Sequence, residues 1–114
     1  MRGHLVIVDF SAVNPDAGVR PALIVQNDLD NARMQNTIVA QITTNIRRAG
    51  NATQLLIEHA HPDWQLSGLL RPSVINCSNL ATISQADIRK VIGALSPATL
   101  RQLEACFKAA LALS

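Results

Sequence analysis

Three groups of residues carry chemistry that a strand-rich fold could put to use. Arg20 immediately precedes Pro21. The residue before a proline is pushed to extended backbone, and Pro21, with no N–H to give a ladder, belongs at the first position of a strand. Arg20 is therefore held at the mouth of that strand. A guanidinium fixed there has permanent charge and five donors in a planar fork that fits phosphate; the plain alternative is a solvated loop arginine. Thr43 and Thr44 put two hydroxyls at the end of a second apolar run. Arg47 and Arg48 follow in a loop, either as further anion contacts or as a solvated loop tip. The histidines offer less. His59 and His61 flank Ala60, and two imidazoles with no evident third ligand make a poor metal site, so neither a metal nor a cofactor is expected. His4 is a base or an ordinary residue at a strand start. Trp64 either stacks on a base or anchors its own loop. The chain has no Gly-rich phosphate loop and no nucleophile elbow, which disfavours nucleotide hydrolysis and serine esterase chemistry.

The elements that must position these residues follow from periodicity. From Pro21 to about Asn27, an apolar run of about six residues rich in β-branched side chains and bounded by turn formers predicts a strand buried on both faces. Further strands are expected over 5–10, 37–42, 53–58 and 73–79, with an extension of the last to residue 83 as the alternative. Residues 28–36 are polar without apolar periodicity and predict a loop, and 59–72 predict an irregular connection. Residues 85–90 suggest one helical turn, and 91–95 are ambiguous between helix and strand. Ser96-Pro97 opens a helix, with Ser as N-cap and Pro at the first helical position. Leu95 and Leu100 occupy the two positions of a hydrophobic staple. Leu100, Leu103, Phe107, Ala110 and Leu111 then recur at three- and four-residue steps as one apolar stripe. The expected fold is mainly β (α+β), a small, partly open barrel of about five strands closed by a C-terminal helix, in one domain over residues 1–114. Apolar edge strands in so short a chain need covering, and a homodimer would cover one.

Composition narrows the class. The chain has 114 residues, 48% hydrophobic and 16% charged, as expected of a folded globular domain. A net charge of +2 leaves a nucleic-acid partner open without requiring one. With one Trp, two Phe and no Tyr, recognition of bases by stacking alone is disfavoured. Cys77 and Cys106 lie in apolar surroundings and read as reduced core residues, a disulfide between them being the alternative. Met1-Arg2-Gly3-His4 leads straight into a strand, so no signal peptide is expected. No apolar run approaches the roughly 18 residues of a membrane span. A cytoplasmic location is the expectation.

Gly18-Val19-Arg20-Pro21-Ala22-Leu23-Ile24-Val25-Gln26-Asn27-Asp28 resembles the central motif of the MazF/PemK family of bacterial toxins. Arg2-Gly3-His4-Leu5-Val6 is similar to that family's opening strand, and Val39-Ala40-Gln41-Ile42-Thr43-Thr44 to its Ile-Thr strand end. Ser73-Val74-Ile75, Thr82-Ile83, Gly93-Ala94-Leu95-Ser96 and the final helix also fit, so the resemblance spans nearly the whole chain. It implies an SH3-like barrel homodimer that cleaves single-stranded RNA without metal, leaving 2′,3′-cyclic phosphate and 5′-hydroxyl ends, and that is neutralised by a cognate antitoxin. It also implies Arg20 and Thr43 as the catalytic pair, with Arg47, Arg48, Thr44, Gln26 and Asn27 as RNA contacts. Three positions depart from the pattern. Ser78 stands where many members carry an acidic residue, Asn76 where some carry an arginine, and Ala81 replaces the Arg of Arg-Thr-Ile. The acid/base pair of the PemK-like branch is therefore missing. A second reading is a non-catalytic module of the same fold that binds nucleic acid or poisons a topoisomerase, as CcdB relatives do, or a degenerate inactive copy.

Overall fold

The computed structural model describes residues 1–113. Its six strands are β1 (His4–Asp9), β2 (Val19–Ile24), β3 (Asn36–Thr43), β4 (Gln54–Ile57), β5 (Ser73–Ser84) and β6 (Ile88–Ala94). Its helices are α1 (Asp28–Arg33), α2 (Trp64–Ser67) and α3 (Pro97–Leu111). The strands form one antiparallel, curled sheet in the order β4-β5-β3-β2-β1-β6. The count is six, not about five, because the ambiguous run 91–95 belongs to an edge strand on β1. Only a 3-10 turn at Gln85–Asp87, capped by the Ser84 hydroxyl, remains of the helical turn expected there.

β2 is buried on both faces, as its apolar run requires. Leu23 packs in a core with Leu5, Ala40, Ile75 and Leu103. Ala22 and Ile24 turn the other way, into a second core with Val6, Val8, Phe10, Val39 and Ile83. α3 covers the first core through Leu100, Leu103, Cys106, Phe107 and Ala110. Leu111, assigned to the stripe from spacing, is 53% exposed; Cys106 takes the buried position instead. The helix start is as expected, with Ser96 Oγ accepting from the Thr99 N–H at 3.4 Å.

The segment 28–36, expected to be a loop, contains α1. Its signal is capping, not periodicity. Asn27 Oδ1 accepts from the Asp30 N–H at 2.8 Å, Asp28 and Asp30 lie in the first turn, and Arg33 lies in the last. Within 59–72 the chain makes the single turn α2, ended by Gly68 in the left-handed region at φ 70°. There the backbone of α2 meets β6. A Cβ on Gly68 would sit 2.0 Å from the Ile92 carbonyl oxygen, and one on Gly93 would sit 2.2 Å from that of Leu66. No larger residue fits at either place without moving main chain.

Asp63 ties this crossing to α3. It is buried, and Oδ2 accepts from the Ser96 N–H at 2.8 Å. Burial pushes its pKa up, but hydrogen bonds from Ser96 and Thr99 outweigh that and leave it below the ordinary 3.8. A carboxylate depressed in the folded state stabilises the protein above its unfolded pKa. That contribution is lost as pH falls through the folded value. Asp63→Ala should cost about 2 kcal/mol at pH 7 in urea unfolding, and the difference from the parent should shrink as pH falls below about 4. Gly93→Ala, which forces backbone apart, should cost about 2–3 kcal/mol in the same assay, at all pH values.

Candidate active site

The hydrogen-bonding direction of β2 determines where its ladder ends. The Val25 N–H donates toward β3, to Ile38 O at 3.0 Å, while Ile24 O accepts from Gly3 on the β1 side at 2.8 Å. Alternate residues of a strand face opposite neighbours, so Pro21 lies on the β3-facing set and has no N–H to offer. Pro21 is the third residue of β2, not the first as expected. It is tolerated inside the strand because its missing donor falls where the β2–β3 ladder stops. That ladder runs Ile24↔Val39, Leu23↔Ala40 and Ala22↔Gln41, then ends. Continuing the register two steps sets Arg20 opposite Thr43. Arg20 keeps its place through β1, where it pairs with Val8.

Where the strands part, Arg20, Pro21, Ile42, Thr43, Thr44 and Ser73 line an open hollow of about 240 Å³. Arg20 is exposed, and its Nε donates to Ala17 O at 2.7 Å. That bond orients the guanidinium. Among the described residues its two terminal nitrogens have no hydrogen-bond or ion-pair partner, so their N–H bonds remain as a forked donor set for a ligand. Thr43 Oγ1 accepts from the Asn45 N–H at 3.1 Å, leaving its proton free to donate. Asn45 Oδ1 in turn accepts from the Arg47 N–H at 3.2 Å. These two successive side-chain turns bring the expected RNA contacts Arg47 and Arg48 beside Thr43, in a polar hollow of about 320 Å³ shared with Asn45, Gln54 and Asn76.

A third hollow, about 290 Å³, opens on the other side of Arg20 and includes Asn14, Gln41, Asn79 and Ala81. An apolar groove of about 480 Å³ shares Pro21, Thr44 and Ser73 with the central hollow and runs past Leu70, 93% exposed, to Lys90 and Ile92. No Asp or Glu lines any of the four hollows, whereas Arg20, Arg47, Arg48, Arg71 and Lys90 do. The surface is built for an anion with an extended backbone.

Two expected contacts are engaged elsewhere. Gln26 is buried, and its Nε2 donates to Asn31 Oδ1 at 3.0 Å and Asn36 O at 3.1 Å. Asn27 caps α1. Both are at the opposite end of β2 from Arg20, roughly 20 Å away at 3.3 Å per residue, and hold the turn into α1. The Asn27-x-x-Asp30 spacing is the signal that distinguishes a cap from a ligand. Sequence reasoning gave no role to Gln54 or Gln41 and saw in Asn76 only a lost arginine. Their shared face becomes visible only through cross-strand register.

The remaining candidates are structural. The rings of His59 and Trp64 are 4.4 Å apart, with Trp64 half-buried against the larger core. His61 Nδ1 accepts from the Asp63 N–H at 3.0 Å. Among the described residues no group of three His, Cys, Asp or Glu could hold a metal ion. Cys77 and Cys106 are both buried thiols without a disulfide. Burial, then the neighbouring Cys106, pushes Cys77 up to about 12, and burial also raises Cys106. Neither is a nucleophile at neutral pH. No described helix is long and apolar enough to cross a membrane.

The geometry therefore offers an oriented arginine fork and a hydroxyl flanking one open hollow, with positive charge continuing on both sides. The family model for the PemK-like, MazF-like toxins of type II toxin–antitoxin systems matches residues 1–111. The chain is 32% identical over 114 residues to Endoribonuclease EndoA of Bacillus subtilis (strain 168), covering 98% of this chain and 94% of that protein. Among solved structures, Mycobacterium tuberculosis toxin MazF-mt6 superposes with a TM-score of 0.79 at 28% identity, covering 97% of this chain and 98% of that one. A mycobacterial endoribonuclease in complex with its cognate antitoxin gives a TM-score of 0.78 at 24% identity, covering 100% and 96%, which establishes the fold. By sequence over nearly its full length and by fold, this chain belongs to the PemK-like, MazF-like toxins of type II toxin–antitoxin systems.

Proposed function

We propose that this protein is the toxin of such a pair and an endoribonuclease that cleaves single-stranded messenger RNA, acting as a single domain over residues 1–114 in the cytoplasm. The observation that carries this reading is the convergence of Arg20 and Thr43 on one hollow, across the gap that opens beside Pro21. RNA brings its own nucleophile. Its 2′-hydroxyl attacks the adjacent phosphorus, the P–O5′ bond breaks, and a 2′,3′-cyclic phosphate and a 5′-hydroxyl result. The 2′ proton leaves to water and the 5′ oxygen is protonated in turn, so no external oxidant or hydrolytic water is consumed. Positioning and charge stabilisation supply most of the barrier reduction in such a step. The free terminal nitrogens of Arg20 hold the phosphoryl oxygens as charge builds on them and donate a hydrogen bond to the leaving oxygen. The Thr43 hydroxyl orients the phosphate or the 2′-hydroxyl, and Thr44 borders the same hollow. Arg47 and Arg48 hold flanking phosphates, which positions the strand without reading it. The reading needs no metal and no cofactor.

Two partners follow from the same surface. A cognate antitoxin would lay an acidic segment over Arg20, Arg47 and Arg48 and compete with RNA, with a salt-sensitive association rate. A second copy of the chain would cover exposed apolar surface such as Leu70, Leu66 and Val91, giving a homodimer. The loss of the family's acidic residue at Ser78 and of its arginines at Asn76 and Ala81 supports the second reading, an inactive or purely binding module, and cleavage assays separate the two.

Removing one preorganised donor to a developing oxyanion costs roughly 10²–10³ in rate. Arg20→Ala should lose at least that in single-turnover cleavage of a fluorescent single-stranded RNA, with circular dichroism unchanged. Arg20→Lys should fail nearly as badly, because an ammonium does not reproduce the fork. Thr43→Val, which keeps shape and β-propensity, should also inactivate, and Thr44→Val should be milder. Parent rates from a folded Arg20→Ala protein would sink the mechanism. Cleavage should persist in EDTA; arrest there would overturn the metal-free reading. The Arg47→Glu/Arg48→Glu double variant should bind both RNA and antitoxin more weakly, by fluorescence titration at low salt.

A further inference from the structure

The polar hollow beside Thr43 contains two amides whose orientations are locked. Asn76 Oδ1 accepts from the backbone N–H of Ser78 at 2.9 Å. A backbone N–H is always a donor, so the atom facing it must be the amide oxygen. Gln54 Nε2 donates to that same oxygen at 2.8 Å, and to Thr53 Oγ1 at 3.1 Å. Two groups are left over, the Nδ2 of Asn76 with its two N–H bonds and the Oε1 of Gln54. Among the described residues neither has a hydrogen-bond partner, though both residues line the hollow.

The main chain holds this pair in place. Gln41 pairs with Asn76, yet Ala40 pairs with Leu80, so Cys77, Ser78 and Asn79 form a bulge on β5. The bulge returns the Ser78 N–H to the Asn76 side chain. The Gln54 carbonyl accepts from Cys106 Sγ of α3 at 3.7 Å. Arg47 and Arg48, on the same hollow, supply charge for phosphates but carry no sequence information. A fixed donor beside a fixed acceptor is what a nucleobase edge demands, and an unstacked single strand displays those edges.

We infer that Asn76 and Gln54 are specificity-determining residues that read one base of a single-stranded RNA, adjacent to the scissile phosphate on the Thr43 side. Asn76 Nδ2 donates to a ring nitrogen or carbonyl of that base, and Gln54 Oε1 accepts from its amino or imino N–H. This rests on Arg20 and Thr43 being the cleavage pair, which fixes where the scissile phosphate lies.

Asn76→Asp tests the inference cleanly. It keeps an oxygen for Ser78 and Gln54 and turns only the free donor edge into an acceptor. Asn45→Asp adds the same charge to the same hollow and keeps an oxygen for the Arg47 N–H. Both are measured in an Arg20→Ala background by fluorescence titration with short RNAs varied one position at a time, beside cleavage by the parent. The Arg20→Ala protein should discriminate about tenfold or more among the four bases at one position. Asn76→Asp should change which base is preferred there, and Asn45→Asp should weaken all four equally. Uniform weakening by Asn76→Asp with the ranking intact, or no preference before the substitution, overturns the inference. Base-selective binding with no cleavage by the parent would refute the Arg20–Thr43 mechanism and uphold the amide pair as a base reader. Cleavage with a base preference that Asn76→Asp leaves alone would do the reverse.

Discussion

Pro21 lacks an amide hydrogen at a point in β2 where that hydrogen would face β3. The β2–β3 ladder therefore stops at Ala22, and the two strands separate beyond it. Everything distinctive about the surface follows from that separation. Arg20 remains anchored to β1 but is released from β3, and Thr43 faces it across open space. The proline also makes the arrangement stiff, since its ring fixes its own φ and keeps the preceding residue extended. A guanidinium on a long side chain is a mobile charge. Anchored through Nε to Ala17 O, it becomes an oriented fork.

The rest of the site is built by short-range polar turns laid on this frame. Thr43 is bound by the Asn45 N–H, and Asn45 by the Arg47 N–H, so a flexible-looking loop delivers two arginines to the end of β3. At the opposite end of β2 the same chemistry does purely structural work, with Gln26, Asn31 and Thr37 joined in a buried network that seats α1. With cations on the open hollows and no carboxylate lining them, the field favours an anionic chain over any neutral ligand.

The site was only partly legible along the chain. The Arg-Pro pair and the Thr-Thr strand end stand out because proline and hydroxyl residues have strong local meaning. Gln26 and Asn27, expected as RNA contacts, are engaged in holding the turn into α1. The Asn27-x-x-Asp30 spacing carries that signal for Asn27, whereas the partner of Gln26, Asn36 O, is ten residues away and shows only in the fold. Gln54 and Asn76 were missed as a pair because they are 22 residues apart and meet through β4–β5 register.

Local patterning by itself determined the apolar strands, the capped start of α3 and the buried character of β2, since each depends on periodicity or on residues within one turn. It left β6 ambiguous, because two register irregularities against β1 break the alternation that a half-buried strand would otherwise show, and it missed α1, whose signal lies in its caps. Tertiary structure alone decided which charges and amides share a hollow. Register, the β5 bulge and the close approach of Gly68 and Gly93 are agreements between distant segments. No single window of the sequence contains both sides of such an agreement.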